Sequence, residues 1–189
     1  MQQRLRIQRE AALHIIVGIG SNLPDAAGHT PWLNCRAAVT ALRGLAGCRL
    51  VAISGWYQSA AWPPSAEPIY GKSTQPDYIN GAVLLSGAIS PASLLAALHR
   101  IEALAGRRRS VPNAARPLDL DIIAMGELVR DAPDPILPHP RAHQRGFVLR
   151  PIVDLLPAWR HPTLGKTVGD LLAALPDADE WVARPAMHR

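Results

Sequence analysis

The chain has 189 residues, a length that favours one domain; 48% are hydrophobic and 19% charged, a balance that excludes a disordered or fibrous chain. No apolar run approaches the roughly 20 residues that span a bilayer. The polar, basic opening MQQRLRIQRE is not followed by an apolar stretch and a small-residue cleavage site, so neither membrane insertion nor export is expected. Cys35 and Cys48 are too few for a disulfide scaffold and lack metal-ligand spacing; both are expected to be reduced and half-buried in a cytoplasmic protein. The net charge is +5 and eighteen of the twenty basic residues are arginine, the better fork for bidentate phosphate contacts. Five of them fall between Arg100 and Arg116, just ahead of a pair of aspartates.

Residues 1–12 read as a solvated extension, 13–176 as one domain and 177–189 as a tail. Residues 14–20 are a β-branched apolar run, expected as a buried strand and ended by Ser21-Asn22-Leu23-Pro24. Thr30-Pro31 opens a helix with a hydroxyl at the N-cap and proline in the first turn. Its apolar stripe is Leu33, Ala37, Ala38, Ala41, Leu42 and Leu45, stopped by Gly47. Residues 50–59 predict a second strand, and the four prolines within 60–77 a long loop, which inside a compact domain usually has a function.

Residues 78–86 predict a third strand. Ser90-Pro91 repeats the capping signal, and Leu94, Leu95, Leu98, Ile101 and Leu104 form a helical stripe ending at Gly106. An arginine-rich loop leads to a fourth strand over 118–125, which Gly126-Glu127 turns into a short return strand near 128–130. Residues 144–156 are expected to be helical in part, and Thr167 to cap a last helix through Leu175. The order strand, helix, strand, strand, helix, strand is the split βαβ pattern: an α+β, ferredoxin-like two-layer sandwich with a mainly antiparallel sheet and C-terminal additions.

Asp119 and Asp121 carry the sharpest chemical signal. Residues two apart on a strand share a face at roughly 6.6 Å between Cα atoms, which turns Leu118, Leu120 and Ile122 the other way, into the core. Two neighbouring carboxylates on so apolar a strand repel one another and lose solvation, a conflict that a hard divalent cation such as Mg2+ resolves. An exposed edge strand with a polar face is the plainer alternative. Arg107, Arg108, Arg109 and Arg116 just before the acids suit a metal–polyphosphate, the acids holding the cation and the arginines the oxygens. His139 and Arg145 offer further phosphate donors. Gly18-Ile-Gly20 lacks the glycine and lysine of a phosphate-cradling loop, so phosphate is left to side chains and metal. Tyr78, Asn80 and the single phenylalanine, Phe147, suit a flat polar ring sandwiched by aromatics and read at its edge by an amide; composition alone favours plain packing for the two aromatics.

These segments occur together in one order: GIGSNL at 18–23, QPDYIN at 75–80, RPLDLD at 116–121, PHPR at 138–141 and RGF at 145–147. Together they resemble the hydroxymethyl-dihydropterin pyrophosphokinase family of folate biosynthesis, over about residues 14–175. The resemblance implies transfer of the pyrophosphoryl group of ATP to the hydroxymethyl of a reduced pterin, leaving AMP, with two Mg2+ ions on Asp119 and Asp121. It implies Tyr78, Asn80, Phe147, Ser59 and Trp62 on the pterin side. On the ATP side it implies His99, Glu102, Arg107, Arg109, Arg116, Ile122, His139 and Arg145, with Arg107 and Arg116 acting at the reacting phosphorus. Loops near 21–29, 58–77 and 106–116 would close over the substrates and exclude water. No general base is evident, and a monomer is expected.

The chain departs from the family pattern in three places: Asn113 nearest the position where some members carry tryptophan, Ser59-Ala60-Ala61-Trp62 where Thr-Pro-Pro and an aliphatic residue are common, and a longer stretch up to Thr74. A pterin- or ATP-binding homologue with impaired turnover is therefore the alternative. A nucleic-acid reader is disfavoured, because only 5% of residues are aromatic and the two aspartates would repel a phosphate backbone.

Overall fold

A computed structural model describes residues 13–61, 75–107, 114–175 and 184–185. The expected extension at 1–12, Trp62, residues 62–74, Arg108, Arg109 and Asn113 lie outside the described residues, as does most of the expected tail.

The elements in chain order are β1 (Leu13–Ser21), α1 (Pro31–Arg43), β2 (Cys48–Ile53), β3 (Tyr57–Ser59), β4 (Tyr78–Gly87), α2 (Pro91–Leu104), β5 (Asp119–Met125), a 3-10 turn (Ala142–Gln144), α3 (Gly146–Leu155), α4 (Val168–Ala173) and β6 (Arg184–Pro185). Every strand pairing is antiparallel. β4 lies at the centre with β1 on one edge, while β2 and β3 share its other edge; β5 lies outside β1 and β6 outside β3. This is the ferredoxin-like strand order, with the second strand broken in two over residues 54–56.

The three predicted caps close as their chemistry requires. The Thr30, Ser90 and Thr167 side chains accept N–H bonds from Leu33, Ser93 and Asp170, satisfying donors that a helix start leaves unpaired. The buried stripe of α1 is shifted from the predicted one: Asn34, Cys35, Ala38, Val39 and Leu42 face the core, and Leu33, Ala37 and Ala41 face solvent. Asn34 faces inward because its amide donates to the Leu23 and Pro117 carbonyls at 3.2 and 3.1 Å. Cys35 is fully rather than half buried, and desolvation pushes its thiol up to about 12. Leu104, at the end of the predicted α2 stripe, is 90% exposed. The return strand near 128–130 is only a bridge between Arg130 and Leu137, since Pro133 and Pro135 have no N–H with which to extend a ladder.

The sheet has a core on each face. Ile15, Val17, Ile19, Val83, Leu85, Leu120 and Ile122 pack beneath α1 and α2. Ile16, Leu84, Ile123 and Ala124 pack on the opposite face against Leu149 and Ile152 of α3 and Val168 and Leu171 of α4. The C-terminal additions thus lay a further layer over the two-layer unit. They stop short of the end of β1, where the face that begins with Ile16 continues as Gly18 and Gly20.

The C-terminal layer is anchored through Leu149, which is fully buried. Leu149→Ala should therefore cost about 2–5 kcal/mol in urea denaturation, and a cost below about 1 kcal/mol would show that α3 lies outside the cooperative unit. In the same layer His161 Nδ1 accepts the Thr163 and Leu164 N–H groups at 3.3 Å each. Burial and the neighbouring His143 hold this imidazole below the usual histidine range. The unfolded chain takes up its proton first, near pH ~6.5, so the contribution to stability is full above that pH and is lost as the pH falls below it. Unfolding free energies compared at about pH 7.5 and about pH 5.5 should fall further for the native protein than for His161→Gln; equal falls would remove His161 as the cause.

Candidate active site

The sheet sets the site out in rows. Antiparallel register pairs Gly20 with Asn80 on one side and Asp119 on the other, and Gly18 with Ala82 and Asp121. Paired residues share a face, so the two acids stand across two glycines from the strand that carries Asn80. A Cβ on Gly20 would lie 3.5 Å from Asn80 Oδ1, 3.6 Å from Tyr78 Cδ1 and 3.8 Å from Asp119 Cβ. Glycine at these two positions leaves a bare backbone floor on which a flat ring can lie.

A first cleft opens over this floor. It is walled by Ser59, Tyr78 and Asn80 from one side, Arg116, Asp119 and Asp121 from the other, and Arg145, Phe147 and Val148 at the start of α3. Tyr78 and Phe147 are half-buried in the cleft wall instead of belonging to either core, so packing is not their explanation. Asn80 is buried and its amide donates to Ser59 Oγ at 2.9 Å.

A second cleft runs along the free edge of β5. Its walls are Leu95, His99, Glu102 and Arg107 from α2 and its end, Leu120, Asp121 and Ile122 from β5, and Asp134, Pro135, Ile136, His139 and Pro140 from the proline-rich segment. Asp121 lines both clefts. Arg116 and Arg145 face the first cleft, and His99, Glu102, Arg107, Ile122 and His139 the second. Asp134, Pro135 and Ile136 did not emerge from the sequence as site residues.

The two acids differ in their surroundings. Asp119 Oδ1 accepts from Arg107 Nη1 at 2.6 Å and from Arg116 Nη1 at 2.9 Å. Arg107 also pairs with Glu102, whose Oε1 accepts the Leu120 N–H at 2.8 Å. Glu102 is 2% exposed, and burial raises its carboxyl above the usual range, partly offset by the Leu120 bond and Arg107. Its bonds make it a brace between α2, β5 and Arg107 as well as a wall of the cleft. Asp121 Oδ2 lies 3.9 Å from His139 Nε2, and the charges of Arg145 and Arg116 also act on it. Desolvation, with the charge of Asp119 adding to it, pushes the Asp121 carboxyl upward, and Arg145 and Arg116 offset this in part.

His139 is held neutral. Burial, with Arg145 and Arg141 beside it, lowers its pKa to about 4. Its Nδ1 accepts the Arg141 N–H at 3.2 Å, which assigns the proton of the neutral ring to Nε2, the atom nearer Asp121. The Arg145 guanidinium lies 5.6 Å from the centroid of the Phe147 ring, so α3 presents a cation and an aromatic face together.

The donor set fits a hard cation. Among the described residues no group of three or more potential His, Cys, Asp or Glu ligands comes together. Two carboxylates are what magnesium takes from a protein when phosphates and water supply the rest. No helix among the described residues is long and apolar enough to cross a membrane.

The family described as 7,8-dihydro-6-hydroxymethylpterin-pyrophosphokinase (HPPK) matches residues 16–157. The chain is 34% identical over 173 residues to the 2-amino-4-hydroxy-6-hydroxymethyldihydropteridine pyrophosphokinase of Synechocystis, covering 92% of this chain and 82% of that protein. It is 38% identical over 162 residues to the enzyme of the same name from Pseudomonas aeruginosa, covering 86% of this chain and 91% of its relative. Among solved structures, the HPPK-DHPS protein of Plasmodium falciparum shares the fold with a TM-score of 0.60 at 13% identity, over 85% of this chain and 44% of that one. Both the sequence segments and the extent of these matches assign the chain to the HPPK family.

Proposed function

We propose that Asp121, the residue common to both clefts, marks where the protein performs the reaction of its family: transfer of the pyrophosphoryl group of ATP to the hydroxymethyl group of 6-hydroxymethyl-7,8-dihydropterin, in folate biosynthesis. The pterin lies in the first cleft and ATP in the second. The alcohol oxygen bonds to the β-phosphorus while the bridging oxygen to the α-phosphorus leaves with AMP, and the alcohol proton is released. The single observation that carries this reading is that one carboxylate, Asp121, faces both clefts.

Within this proposal Tyr78, Phe147 and the glycine floor hold the pterin plane, and Asn80, braced by Ser59, reads its edge. Trp62 belongs to the pterin side by resemblance, as Arg109 does to the ATP side. Leu95, Ile122, Ile136 and Pro135 offer apolar walls to the nucleoside, beside His99. Asp119 and Asp121 are the residues that would hold Mg2+, two ions by resemblance to the family, and these would supply charge neutralisation along the triphosphate. Arg116 and Arg107 donate to phosphate oxygens as charge shifts toward the leaving group, and Arg145 joins them from the pterin side. His139 donates a neutral Nε2–H. The reading takes residues 13–176 as one domain and the protein as a monomer. A cytoplasmic location is part of it, supported by the two free thiols.

Incubation with ATP, Mg2+ and the reduced pterin should yield AMP in step with pterin diphosphate; ADP, or no nucleotide product, would favour a binding protein without turnover. Asp119→Asn and Asp121→Asn should each lower this rate about 100-fold or more while the melting curve stays cooperative, and near-native rates in either would break the metal assignment. Gly20→Val, whose β-branched side chain suits a strand but stands on the cleft floor, should raise the pterin KM about tenfold with little change in the ATP KM. Equal rises in both would mean that the pterin does not lie over β1.

A further inference from the structure

We propose that Asn22 is a positioning residue that couples the two clefts, an inference that rests on the proposed function and extends it. Asn22 follows β1 directly and is 2% exposed. Its Oδ1 accepts the Arg116 N–H at 2.8 Å, and its own N–H donates to the Arg116 carbonyl at 3.2 Å. Its amide Nδ2 donates to the Pro76 carbonyl at 3.1 Å and to Gln75 Oε1 at 3.4 Å. A single buried amide thus ties the backbone of the phosphate-facing arginine to the segment that delivers Tyr78 and Asn80 to the ring-binding wall.

The two halves of this tie are not equally backed up. The 116–117 segment is also held by Ser21 Oγ donating to the Pro117 carbonyl at 2.6 Å, by Asn34 donating to the same carbonyl at 3.1 Å, and by the Leu23 N–H donating to the Arg116 carbonyl at 3.3 Å. Loss of the Asn22 side chain therefore leaves Arg116 anchored to β1 and cuts its link to residues 75–76. Arg116 itself bonds Asp119 at 2.9 Å and lines the same cleft as Tyr78, on whose hydroxyl its charge acts, so a shift of the Tyr78 segment reaches the acids through one guanidinium. Ligand in either cleft then favours the arrangement that the other ligand needs, and the benefit is mutual by linkage.

Calorimetric titration of an unreactive α,β-methylene ATP analogue with Mg2+, and of the reduced hydroxymethylpterin, tests this when each is titrated alone and with the other present. The native protein should bind each ligand more tightly with the other bound. In Asn22→Ala the analogue alone should bind within about threefold of native, while the mutual enhancement falls by about tenfold in both orders of addition, the size expected for one or two lost hydrogen bonds. Asn22→Asp retains an acceptor for the Arg116 N–H and lacks the amide donor, and the same loss is expected in it should the alanine variant fold poorly. Full enhancement in a folded variant, or independent binding in the native protein, would overturn the role of Asn22. A native protein that binds no pterin with or without nucleotide would overturn the proposed function itself, and this inference with it.

Discussion

The site depends on one constraint: two like charges that the hydrophobic core will not let apart. Leu118, Leu120 and Ile122 alternate with Asp119 and Asp121 and are each under 5% exposed. Turning the acids away from one another would pull those side chains out of the core beneath α1 and α2. The carboxylates must therefore share a face, and the molecule answers their repulsion by surrounding them with cations instead of separating them. It does so unevenly. Asp119 takes two guanidinium groups, and Asp121 takes a histidine that burial keeps neutral. The charges of Arg145 and Arg116 also act on Asp121, the residue that faces both clefts.

The backbone contributes as much as the charges. A strand normally covers its face with side chains, yet β1 shows glycine at both positions opposite the acids, and the C-terminal layer ends before reaching them. Ile16 and Leu149 are packed tightly on the same face, a short distance along the sheet from an open floor. One sheet face thus changes from core to open cleft floor where β-branched residues give way to glycine.

Much of this was legible in the sequence, and the physical reasons divide cleanly. The helix starts at Thr30, Ser90 and Thr167 were legible because capping is local chemistry between residues three apart. The acids and their buried alternates were legible because a strand has period two. The inward turn of Asn34 was not, since its partner Pro117 is 83 residues away and no local pattern encodes that bond. The floor at Gly18 and Gly20 became meaningful only through register with β4 and β5; alone, the two glycines said merely what they were not. The wall at residues 134–136 was hidden because an exposed acid between prolines looks like any loop until the fold brings it beside α2. The family resemblance divides the site residues into a pterin side and an ATP side, but it cannot show that Arg116 and Arg145 line the first cleft or that Glu102 spends an oxygen on the backbone of β5.

That last bond joins fold protection to chemistry. β5 is the outer strand of the sheet, and an outer strand exposes unpaired N–H groups that invite another chain to add on. The Leu120 N–H, which lies between the two acids, is instead taken by Glu102 from α2. Burying that carboxylate requires a countercharge, and Arg107 supplies it while reaching on to Asp119. A guanidinium can hold two carboxylates at once because its donors form a planar fork, whereas a lysine ammonium offers one compact charge on a flexible stem. Capping the sheet edge thus calls for an arginine at position 107, and that arginine brings a positive charge to the wall of the second cleft.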